Sequence, residues 1–149
     1  MAPVPNGTYT ISRPGGQLLT LERGSPEPKT PVVLLPPSGH PGEQEWQLWR
    51  LKKLGNGSYA IRNLRGGTYL SLVGDPETNK PLFGYPQLRE WTLQDGTQPG
   101  SFHLVPTGPI HCERLAADVS PLRIFPPRTA LRPLDTGNLR QAWSLRPAE

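Results

Sequence analysis

A single cysteine, Cys112, among 149 residues leaves no partner for an internal disulfide and no cysteine set for zinc. Its flank, IHCERL, reads as a strand, so a buried inert thiol is expected. Histidine is equally scarce: His40, His103 and His111 lie far apart along the chain, which offers neither a metal site nor a Ser-His-Asp arrangement. Neither a G-x-S-x-G elbow nor a phosphate-binding glycine loop with its lysine occurs. No catalytic residue and no cofactor are therefore expected. The N-terminal stretch MAPVPNGTYT has no basic flank and no long apolar run, so it predicts neither a signal peptide nor a membrane anchor. The expectation is a cytoplasmic protein with no membrane partner, in which the sequons at Asn6 and Asn56 go unused. Sixteen Lys and Arg outnumber twelve Asp and Glu, but they are scattered, and nucleic acid is not expected.

What the chain has in abundance is proline and glycine, 20 and 16 residues. With only 34% apolar residues, that composition would suit a disordered or loop-rich chain. Recurring aromatics exclude disorder. NGTYTI at 6–11, NGSYAI at 56–61 and GSFHLV at 100–105 each open a strand, and QEWQLWRL, REWTLQD and QAWSLRP each close a copy. A spacing of 40 to 50 residues marks a repeat architecture. Between these ends lie short runs with period 2, bounded by Gly, Pro, Asn and Asp, and no amphipathic helix. Four strands per copy are predicted: 7–13, 17–23, 31–36 and 45–51; then 57–63, 68–73, 81–85 and 90–95; then 101–106, 111–117, 121–126 and 141–146. Twelve strands in three fourfold units (about 6–51, 56–95 and 100–146) predict one all-β domain, a β-trefoil: a six-stranded barrel capped by three hairpins. A three-bladed propeller would be too small to close. Tyr9, Tyr59 and Phe102, with the pairs Trp46/Leu48, Trp91/Leu93 and Trp143/Leu145, are the expected core layers.

On such a scaffold function belongs to loops that differ between copies. The stretch GSPEPKTP at 24–31 holds one lysine among three prolines, each of which restricts φ to about −65°. A trypsin-like protease accepts Lys or Arg in its acidic S1 pocket, and a preorganised loop lowers the ordering cost of binding. Lys29 is thus the first candidate P1 residue, with Pro28, Thr30 and Pro31 shaping the loop. Pro127, Arg128 and Thr129 repeat the Pro-basic-Thr triplet in a 127–140 loop, making Arg128 the second candidate; Arg65, followed by two glycines, is the third. The bland reading of GSPEPKTP is a rigid connector bearing a solvated lysine.

NGTYTI, TPVVLLPP followed by QEWQL, NGSYAIRN and QAWSLRPAE resemble the small cytosolic β-trefoil protease inhibitors of mushrooms, the mycospins and mycocypins. The resemblance spans the chain. It implies a monomeric defence or regulatory inhibitor of trypsin-like serine proteases, acting through the loop holding Lys29 or the one holding Arg128. Mycocypin-type alternatives are inhibition of papain-like cysteine proteases through Gly15 and Gly16, or of legumain through the region of Asn63 and Gly67. The alternative from another class is a carbohydrate-binding, ricin-B-like lectin. Gln44-Glu45-Trp46 and Gln141-Ala142-Trp143 match a Q-x-W signature, although Asp75, Asp118 and Tyr85 do not recur as an equivalent sugar platform in each copy.

Overall fold

The computed structural model describes residues 4–96, 98–107 and 114–148. Twelve strands run β1 Gly7–Ser12, β2 Leu18–Leu21, β3 Thr30–Leu35, β4 Trp49–Lys53, β5 Tyr59–Asn63, β6 Tyr69–Ser71, β7 Phe83–Tyr85, β8 Trp91–Asp95, β9 Ser101–Pro106, β10 Leu115–Val119, β11 Thr129–Pro133 and β12 Trp143–Pro147. Strands β1, β4, β5, β8, β9 and β12 pair in succession, and β12 returns to β1, which closes a barrel without free edges. The remaining strands form the hairpins β2–β3, β6–β7 and β10–β11. They meet at one end in a cyclic set of hydrogen bonds, two between backbones and one from a side chain: Val32 N–H to Leu82 O, Leu82 N–H to Thr129 O, and the Thr129 hydroxyl back to Val32 O. This is the β-trefoil.

The core follows the period-2 reading at its aromatic positions. Tyr9, Tyr59 and Phe102 are buried, and the hydroxyls of Tyr9 and Tyr59 donate to Pro5 O and Val4 O at 2.6 and 2.7 Å. A buried phenol needs such a partner. Burial raises the Tyr59 pKa, the Val4 carbonyl acting against it.

Two sequence expectations are corrected. The first concerns the core tryptophan of copy one. QEWQLWRL contains two Trp-x-Leu pairs, and the wholly buried pair is Trp49/Leu51, whereas Trp46 lies in the 3-10 turn Glu45–Gln47 and is only half-buried. The indole N–H groups decide the register. Trp49 donates to Leu19 O at 3.0 Å, Trp91 to Leu70 O at 2.9 Å and Trp143 to Ala117 O at 3.0 Å, so these three are the equivalent residues.

The second correction concerns the eleventh strand. It lies at 129–133, not 121–126. Pro121, Pro126 and Pro127 have no N–H for a ladder, whereas Thr129–Pro133 pairs with β10 residue for residue, from Leu115↔Pro133 to Val119↔Thr129. Arg128 therefore ends the β10–β11 loop and does not lie between the eleventh and twelfth strands. The expected 111–117 strand begins at Leu115 in the described residues; His111 and Cys112 lie outside them.

Candidate functional site

The threefold bonding of the tryptophans aligns the three copies around each indole. One residue after each carbonyl acceptor stand Thr20, Ser71 and Asp118, and two residues before each tryptophan stand Gln47, Arg89 and Gln141. In copy one the buried Gln47 donates to Thr20 Oγ1 at 3.3 Å and to Pro36 O at 2.9 Å, and accepts from Ser38 N–H at 2.9 Å. Gln141 makes the same three bonds in copy three: to Asp118 Oδ2 at 3.2 Å, to Pro133 O at 2.8 Å, and from Asp135 N–H at 2.9 Å. Both amides are struts that tie a strand end to the loop folding over it. Copy two has a guanidinium instead, with Arg89 donating to Leu72 O and Gly74 O.

Over the copy-one strut the chain opens a pocket of about 260 Å³. Its floor is Thr20 and Gln47; its walls are the 35–40 segment and the helix α1, Pro41–Gln44, with Trp46. The sequence builds this wall from local signals. Pro36 and Pro37 end β3, and Pro41 begins α1 at a position that needs no N–H. Ser38 ties the turn together by accepting from His40 N–H on its hydroxyl and from the Gln44 amide on its carbonyl. His40 and Glu43 stand 3.9 Å apart at the rim. Gly24 sits against Trp46 so closely that a Cβ there would lie 2.5 Å from the indole Cδ1 and 2.7 Å from Nε1, so a side chain at 24 would displace the ring. An indole, a carboxylate and an imidazole around an internally satisfied amide suit a ligand with an apolar face and several hydroxyls.

The protease-binding candidates fall elsewhere. Lys29 is exposed, but its φ is +67°, left-handed rather than the extended shape expected for a residue offered to a protease cleft. Its N–H donates to Gly84 O at 3.0 Å, and Thr30, expected to shape the loop beside it, is buried with its hydroxyl on Glu27 O. Asn79 repeats this in copy two, with φ +69° and its N–H on Leu131 O. The conformation of Lys29 thus belongs to the scaffold turn. Pro28 is exposed beside it, and Pro31 is in β3 opposite Phe83. Arg128 is exposed but bridges Val33 through its backbone, with Pro127 accepting from Leu34 N–H and Thr129 buried. Arg65 reaches Glu45 at 3.6 Å. Gly15 and Gly16 form an exposed tight turn closed by Arg13 N–H to Gln17 O. Pro127, Arg128 and Thr129 meet β3, which begins with Thr30 and Pro31, at Leu34, Val33 and Val32.

Sequence reasoning picked Gln44 as the copy-one Q-x-W glutamine, but Gln44 is exposed and Gln47 is the buried counterpart of Gln141. The signal was present: Gln47-Leu48-Trp49 is also Q-x-W.

No protein-family model and no curated protein match this sequence. Solved structures do. The Rhizoctonia solani agglutinin superimposes with a TM-score of 0.79 at 18% identity, covering 99% of each chain. A designed threefold-symmetric protein, ThreeFoil, gives 0.78 at 23% identity, covering 95% of this chain and 99% of its own. The shared fold is the β-trefoil. The Macrolepiota procera ricin B-like lectin, solved in complex with lactose, gives 0.75 at 19% identity over 99% and 100% of the two chains. Of the resemblance to fungal inhibitors, these likenesses carry the coarser part, the β-trefoil fold.

Proposed function

We propose that the protein is a carbohydrate-binding trefoil whose principal site is the copy-one pocket. The observation that carries this is the pocket itself: Trp46, His40 and Glu43 remain available around a Gln47 whose polar atoms are already bonded within the protein. Trp46 offers a flat apolar surface to the C–H face of a sugar ring, and Glu43 accepts from its hydroxyls. Full-length likeness to trefoil lectins supports the reading, and favours it over protease inhibition. In copy three Asp118 is the carboxylate at the equivalent strut, which makes that place a second, weaker candidate.

The test is a glycan array followed by calorimetry on the best binder, with lactose included. Trp46→Ala is expected to weaken binding by at least about tenfold, a loss of roughly 1.4 kcal/mol, while Asp118→Asn changes it little. Loss of binding in Asp118→Asn with Trp46→Ala silent would move the site to copy three. Absence of glycan binding, with inhibition of trypsin or papain in a parallel panel, would return the protein to the inhibitor class.

A further inference from the structure

The loop between β10 and β11 carries a feature that sugar binding does not use. All five side chains from Pro121 to Phe125 are exposed. Phe125 is 88% exposed, Leu122 61% and Ile124 42%. Single exposed apolar residues are ordinary; three within four positions form a patch that calls for a partner. The loop is also propped. Val119 pairs with Thr129, Ser120 N–H donates to Arg128 O at 2.8 Å, and Leu34 N–H from the neighbouring hairpin reaches Pro127 O at 2.8 Å. The scaffold does not require apolar residues here, since the first-copy counterpart reads RGSPEPK and the second reads VGDPETN.

Charge indicates the partner. From Val119 to Leu134 there is no Asp or Glu, while Arg123, Arg128 and Arg132 fall in that span. Arg132 bonds Asn79, but Arg123 and Arg128 are exposed. We propose that this tip docks on an anionic lipid surface, with Leu122, Ile124 and Phe125 entering the interfacial layer and Arg123 and Arg128 engaging headgroup phosphates. A guanidinium binds phosphate with two parallel N–H groups, and a bilayer asks for no shape complement beyond apolar side chains held out beside cations. The expectation of no membrane partner came from the lack of a long apolar run, which excludes a spanning segment but not an inserted loop tip.

Co-sedimentation of the full chain with glycan-free vesicles tests this independently of any sugar site. The protein is expected to pellet with phosphatidylcholine vesicles containing about 30% phosphatidylserine and to bind pure phosphatidylcholine much more weakly. Phe125→Asp should reduce binding at least about tenfold, and Arg123→Glu and Arg128→Glu about fivefold or more each on the anionic vesicles. Unchanged unfolding midpoints would confirm that these surface variants remain folded; a variant that fails to fold is replaced by Phe125→Ser or Arg→Gln. No binding of the wild type to anionic vesicles, or full binding by folded Phe125 and arginine variants, overturns the proposal. Capture of a protein through this tip without vesicle binding overturns it as well.

Discussion

Replacing Gln141 by alanine should destabilise the fold more than the same change at Gln47, and the reason is the residue each amide faces. Gln47→Ala removes three bonds between neutral groups, each worth about 0.5–1.5 kcal/mol, the one to Thr20 being long at 3.3 Å. Thr20 keeps its own bond to Leu18 O, so a loss of about 2 kcal/mol is expected. Gln141→Ala removes two comparable bonds and also the donor to the buried Asp118 carboxylate, a charge-assisted bond worth about 1.5–3 kcal/mol. The total is about 3–4 kcal/mol, because among the described residues Asp118 then keeps the Val119 N–H alone. Asp118→Thr converts copy three to the chemistry of copy one, so in the Asp118→Thr background Gln141→Ala should cost about 1 kcal/mol less. Urea unfolding of the four proteins in this cycle, followed by tryptophan fluorescence, gives the coupling. A coupling under about 0.5 kcal/mol, or a Gln47 variant less stable than the Gln141 variant, would refute the equivalence of the two struts.

Three further outcomes follow from single observations. Ser58 and Asn56 donate to Glu90 Oε1 at 2.6 and 2.5 Å and hold its carboxyl below the usual value of 4.5. Since the folded value is depressed, the stability from this contact is present above 4.5 and lost as pH falls through the folded value. Carboxyl NMR should show Glu90 titrating below 4.5, and Glu90→Gln should flatten the acid limb of the stability profile; titration at or above 4.5 would contradict the contact. Lys29→Asn should stabilise the fold by about 0.5 kcal/mol, read as a slightly higher urea midpoint, because asparagine tolerates the left-handed backbone better than lysine; an unchanged or lower midpoint would contradict the strain at this turn. Gly24→Ala adds a side chain at φ +61° into Trp46 and Arg65, so it should cost about 2–3 kcal/mol and weaken glycan binding by displacing the indole. A neutral Gly24→Ala would mean that Gly24 does not limit the position of Trp46.

The trefoil was legible because its evidence is local and triplicated. Three aromatic strand openings and three Trp-x-Leu endings report a repeat, and period-2 alternation places Tyr9, Tyr59 and Phe102 inside, which is where they lie. The pocket was not legible in the same way. Trp46-Gln-Leu and Trp49-Arg-Leu are the same local pattern, and only a bond from Trp49 to Leu19, 30 residues earlier, makes one of them core and leaves the other on the pocket wall. The stretch Leu122-Arg123-Ile124-Phe125 likewise reads as a strand until the sheet partner is known; Thr129–Pro133 takes that partner, and Phe125 is left in solvent.

By itself, then, the sequence determined the number of repeats, the strand alternation and the aromatic layer, because each depends on spacing along one copy. Tertiary structure decided which tryptophan lines the pocket, which glutamine is a strut, and that Lys29 sits in a left-handed scaffold turn shared with Asn79. Those outcomes depend on which backbone carbonyl from another strand, or another copy, meets each N–H. Trp49 meets Leu19 and Gln47 meets Thr20 across one copy at separations of 30 and 27 residues, and Lys29 meets Gly84 of the next copy, so these pairings are set only when the barrel closes and the hairpins meet.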